Sequence, residues 1–139
     1  MRRFATLLIC APIAMGGVFA ATAPAHAAAG DLFVTVDTTA TITSGSGDEQ
    51  ATFTGTASCT GGGEGELVIT ASQAQPIAVA FGTKVVTVSC NGTVQNWTAN
   101  VTSTSVTWIS GDSFTYANLT DVTADESATS DREPVTISS

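Results

Sequence analysis

Past residue 26 this chain has no histidine, and in its whole length it has only 4 lysines and arginines against 12 aspartates and glutamates. Without an imidazole there is no Ser-His-Asp or Cys-His nucleophile pair and no histidine metal site in the region that could form a domain. Two of the four cations, Arg2 and Arg3, sit at the extreme start, so Lys84 and Arg132 alone face the acids elsewhere. So acidic a surface repels nucleic acid and anionic lipid, because binding either depends on neutralising phosphate. One Lys and one Arg also leave little to clamp a phosphate or an oxyanion. Cysteine is scarce as well, at 3 residues, and no window shows a sustained helical period.

The first thirty residues read as an export signal. Arg2-Arg3 is followed by an uncharged apolar run from Phe4 to Ala23, then by Ala25-His26-Ala27, the small-x-small pattern cut by signal peptidase. Pro12, Gly16 and Gly17 interrupt the run, and no basic stop follows it, which argues against a retained membrane anchor. Cys10 lies near the start of the run, where a lipidation cysteine does not belong, and the motif around Arg2-Arg3 fits general secretion better than twin-arginine export. The expectation is a signal peptide over 1–27 and a secreted single domain over 28–139, with no membrane insertion after cleavage.

That domain keeps two cysteines, Cys59 and Cys90, expected to pair in an oxidising compartment. Closing a loop of about 30 residues stabilises by roughly 3–4 kcal/mol in the chain-entropy model. With both sulfurs engaged no thiolate catalyst remains. A paired-carboxylate hydrolase would need a walled cleft that so short a chain can hardly build. The expectation is a protein that is not an enzyme and takes no cofactor and no metal.

Threonine and serine alternate with apolar residues almost throughout, the period-2 signature of strands. Leu32 to Ile42 reads as one strand and Ser44 to Asp48 as a turn. Ala51, Phe53, Gly55, Ala57 and Cys59 share one face of the next strand, while Thr52, Thr54, Thr56 and Ser58 share the other. Gly61 to Gly65 reads as a flexible loop. Leu67, Ile69 and Ala71 mark a strand that Pro76 ends, and Ile77, Val79 and Phe81 mark another. Gly82-Thr83 reads as a turn into Val86, Val88 and Cys90. Asn91-Gly92 signals a hairpin before Trp97, Ala99 and Val101. Val106 and Trp108, Phe114 to Val122, and Val135 with Ile137 follow. Seven or eight short strands imply an all-β fold, an antiparallel two-sheet sandwich of immunoglobulin-like general architecture. Both tryptophans follow the second cysteine, unlike a true antibody-type domain.

Thr52 to Cys59, Cys90-x-Gly92 with Trp97 seven residues beyond Cys90, and the closing Asp131-Arg132-Glu133-Pro134-Val135-Thr136-Ile137 resemble a family of small secreted actinobacterial proteins of unknown function. The resemblance covers most of the chain after the signal and implies compartment and fold, with no activity attached. Where that family carries a histidine, this chain has Val94-Gln95.

Candidate contact residues are few. Trp108 and Tyr116 are the expected binding surface, whereas Trp97 and Phe53 are assigned to the core, Trp97 beside the disulfide. Asp121, Asp125, Glu126, Asp131 and Glu133 crowd the last loop without the alternating pattern of a calcium loop, and read as solvated charge. Asn91, Asn96, Asn100 and Asn118 each stand in Asn-x-Thr, a coincidence that threonine-rich strands make cheap. The function expected is a binding or interaction module whose partner is an extracellular protein or a cell-wall glycan. The alternatives are a protease inhibitor offering Gly61–Gly65 or Thr102–Ser105, and a small-ligand carrier.

Overall fold

A computed structural model describes residues 31–44 and 49–139. The expected signal segment and the turn residues 45–48 lie outside the described residues. Among the described residues there are nine strands: β1 Phe33–Val34, β2 Thr39–Ser44, β3 Glu49–Ser58, β4 Glu64–Ala74, β5 Val79–Ser89, β6 Gln95–Thr102, β7 Gly111–Asp121, β8 Glu126–Thr129 and β9 Glu133–Ser138. Over the described residues the fold is all-β, as the alternation expects, and Cys59 and Cys90 form the expected disulfide. The fold has more strands than the seven or eight read from the sequence.

One hydrogen-bonded path runs β1-β3-β2-β9-β7-β4-β5, with β6 on the free side of β3 and β8 on β7. The path folds into two layers. One layer is β6-β3 with β1 and β2 sharing the far edge of β3; the other is β5-β4-β7 with β8 and β9 sharing the far edge of β7. The layers join where β2 meets β9, with Ala40 opposite Ile137. That join is parallel, the exception in an otherwise antiparallel arrangement. Between the layers lie Phe53, Leu67, Ile69, Leu119, Val101 and Ile137, all buried.

Several boundaries differ from the alternation reading, among them Asn91-Gly92, which joins β5 and β6 without making them a hairpin, since β5 pairs with β4 and β6 with β3. Leu32 to Ile42 is broken in two, because Thr35 and Asp37 donate their amides to Thr56 and Thr54 across β3 before the chain moves over to β9. Gly82-Thr83 is not a turn: β5 runs straight through it, paired with β4 from Val79 to Ser89. Gly82 is there because a Cβ would collide with the Thr102 carbonyl oxygen and the Val101 side chain of β6. The glycine-rich loop is also shorter than expected, since Glu64 and Gly65 already belong to β4.

Candidate functional site

Strand β7 inverts the usual sorting of side chains. Its buried row is Ser113, Thr115, Ala117, Leu119 and Asp121, while Phe114 and Tyr116 face outward and are exposed. A one-residue slip of register would exchange the two rows. Burying a ring such as Phe114 is worth about 1.5–3 kcal/mol, so the observed register gives up apolar burial that the sequence could supply. Polar anchors hold it in place. Ser113 donates to the Val135 carbonyl at 2.9 Å, and Asp121 accepts from the Gly61 amide at 2.7 Å.

The neighbouring strands extend this outward apolar surface. In register, Phe81 of β5 stands opposite Ser72 of β4, which stands opposite Phe114 of β7. The next row is Thr83, Thr70 and Tyr116, and the one after it Val85, Val68 and Asn118. Adjacent strands lie about 4.8 Å apart, so Phe81 and Phe114 flank small Ser72 at roughly 10 Å. Val79, Phe81 and Val85 are all exposed. At the β4–β5 tip Ile77 is 97% exposed. On the β9 side Pro134 pairs with Phe114, and the Arg132 guanidinium lies 4.5 Å from the centre of the Phe114 ring.

The tip is braced rather than loose. Buried Gln73 donates to the Ile109 carbonyl at 2.8 Å and accepts from the Ile109 amide at 3.1 Å. Gln75 donates to the Thr107 carbonyl at 2.8 Å, and its own amide closes the turn onto Ala78. At the other end of the sheet a shallow groove of about 150 Å³ is lined by Glu64, Gly65, Glu66, Val85, Thr87 and Val122. Its lining combines two carboxylates with two valines.

The outer face of the other layer is different in kind. Its exposed and half-buried positions are Thr52, Thr54, Thr56, Asn96, Thr98 and Asn100, and several satisfy one another. Thr52 donates to Asn100 at 2.9 Å, Thr43 and Thr52 share a 3.0 Å bond, and Thr54 donates to Asp37 at 2.6 Å.

The expected contact residues divide as follows. Tyr116 is exposed on the apolar face. Trp108 is not at the surface: it is 1% exposed, with its indole against Phe53, because the loop after β6 folds back over the core. Phe53 and Trp97 are buried. Trp97 stands opposite Gly55, and its indole nitrogen donates to the Thr35 and Thr56 carbonyls at 3.1 and 3.2 Å, fastening the Thr35 segment to β3. The inhibitor loops are likewise occupied. Gly62 donates to the Cys90 carbonyl, while Ser103, Thr104 and Ser105 bond to the outer edge of β5 at Val79 and Phe81. Sequence reasoning missed Phe81, Phe114, Val79 and Val85, because alternation identifies two faces without saying which is inside. The clue available was that Tyr116 shares parity with Asp112, Asn118 and Thr120.

Cys59 and Cys90 form the disulfide, with their Cα atoms 4.4 Å apart. The Asp121 carboxylate lies within 4.8 Å of both sulfurs, but this trio is structural. The sulfurs are bonded to each other, and the carboxylate accepts amides of Ala124, Gly61 and Thr123. Those amides, Ala124 first and then Gly61, hold the Asp121 carboxyl below its ordinary value, against the opposing effect of burial. Asp121 therefore leaves the acidic group to which the sequence assigns it, while Asp125, Glu126 and Asp131 remain exposed. Compared with protein-family models, with curated proteins and with solved structures, the chain matches none.

Proposed function

We propose that this domain is a secreted, non-enzymatic binding module whose contact surface is the outer face of β5-β4-β7. One observation carries the reading: β7 buries Ser113 and Thr115 while turning Phe114 and Tyr116 to solvent, beside exposed Val79, Phe81 and Val85. A contiguous exposed apolar patch marks an interaction site more often than chance surface composition does. The residue inventory supports the rest. The chain beyond residue 26 lacks histidine, both of its cysteines are spent in the bridge, and such a bridge fits an oxidising compartment.

The test compares two double variants for retention on insoluble cell-envelope material and on the extracellular proteins of the producing cell. Phe81→Ser with Tyr116→Ser should abolish retention while keeping the melting temperature, since both side chains are exposed. Thr54→Ser with Thr98→Ser, on the opposite face, should retain fully. Equal retention by both variants overturns the assignment of the face. Steady turnover of a glycan or peptide by the purified protein overturns the non-enzymatic reading.

The braced β4–β5 tip favours a second reading, an inhibitor that offers Pro76-Ile77 to a protease. Gln73 and Gln75 preorganise that tip, which removes part of the ordering cost of binding. Loss of inhibition with Ile77→Gly in a protease panel would support it.

A further inference from the structure

From the charge around this face we infer that its occupant is a second protein with a basic-rimmed apolar surface, one of whose lysines or arginines enters the groove between Glu64 and Glu66. The inference rests on the reading of the β5-β4-β7 face as a binding surface and adds the chemistry of what covers it. Phe81 and Val85 lie four residues apart on one strand, roughly 14 Å, so aromatic row and groove form one continuous footprint. A lysine or arginine stem would lie along Val85 and Val122, with its charge between the two carboxylates. No bond to a cation of this chain occupies either glutamate among the described residues, and Asp112, in the outward row with Phe114 and Tyr116, adds negative charge at the opposite end of the face.

The other occupants fit less well. In a second copy of this chain, the same acidic rim would meet itself, with 12 acids against 4 cations in each chain. A glycan would need free aromatic faces, and one of the three rings of this face, Phe114, already carries the guanidinium of Arg132. A protein partner keeps that arrangement, supplies apolar surface to Phe81 and Val79, and gains encounter rate from opposite charge.

The experiment places a photoreactive benzophenone amino acid at position 81 of the full chain, expressed by the cell that makes it. Adducts are identified by mass and quantified with and without Glu64→Gln and Glu66→Gln together. The expected result is one dominant protein adduct, whose yield falls at least about tenfold in the double glutamine variant and similarly in 0.5 M salt. An adduct of unchanged yield in both tests overturns the inference and leaves the binding face standing. An adduct with another copy of this chain, or with glycan, overturns it in favour of that occupant. No adduct at position 81, with an intact fold, overturns both the inference and the binding reading.

Discussion

Trp108 donates from its indole nitrogen to the carbonyl oxygen of Val101, seven residues earlier, at 2.8 Å. The segment between them leaves β6, passes the edge of β5 and returns the indole to the core, where it meets Phe53 edge-on with ring centres 6.1 Å apart. One buried side chain thus closes the open end between the layers. Trp108→Ala should cost about 3–5 kcal/mol in chemical denaturation. Trp108→Phe should cost less, but more than ring volume alone predicts, because the Val101 carbonyl loses its donor, a penalty of about 1–3 kcal/mol. A surface tryptophan would show neither loss.

Thr115 is fully buried and its hydroxyl finds no hydrogen-bond partner among the described residues. Valine has nearly the same shape and no polar group to desolvate. Thr115→Val should therefore stabilise the domain by about 1 kcal/mol, read as a higher midpoint in urea with unchanged slope. A destabilised variant would mean that the hydroxyl is satisfied in solution.

The carboxyl of Asp121 titrates below its ordinary 3.8 in the folded state. A group with a lowered folded value contributes stability that is complete above its unfolded value and is lost as pH falls through the folded one. Stability should thus begin to drop as pH falls through the ordinary 3.8 and go on dropping below it, and part of that slope belongs to Asp121. Asp121→Asn should lower stability at neutral pH and flatten the acid slope. Urea midpoints across the range for both proteins decide it.

The disulfide closes a sequence separation of 31 residues. Replacing both cysteines by alanine should cost about 4 kcal/mol. A Cβ on Gly65 would stand 2.9 Å from the Cys90 sulfur and 3.2 Å from that of Cys59, so Gly65→Ala should also destabilise, though the thiols still pair. Melting temperatures and free-thiol counts on the two variants separate these effects.

Much of the core was legible because apolar parity and burial agree. Along β3 and just past its end, Ala51, Phe53, Ala57 and Cys59 follow one parity and are all buried. Where both parities carry apolar groups, alternation no longer says which is inside. In β5, Val79, Phe81 and Val85 are the more hydrophobic set, yet Ala80, Gly82 and Val88 face inward, and at Gly82 residues Val101 and Thr102 of β6 leave no room for a side chain. In β7 the deciding contacts are the bonds of Ser113 to β9 and of Asp121 to the Gly61 loop, both distant in sequence. Trp108 was misplaced for a related reason: the polar residues before it, Ser103 to Ser105, suggest solvent, but they serve the edge of β5.

The parallel join of β2 to β9 makes the last strand a keystone. Residue 40 pairs with residue 137, and β9 also supplies a neighbour to β7, so neither layer has its full set of partners until the end of the chain arrives. Pairings this distant in sequence form late and slowly. A nascent chain stopped short of Pro134 would hold two incomplete sheets with exposed edges, the condition in which strands from different molecules find each other. Trimming the tail by six residues should therefore send the protein into aggregates.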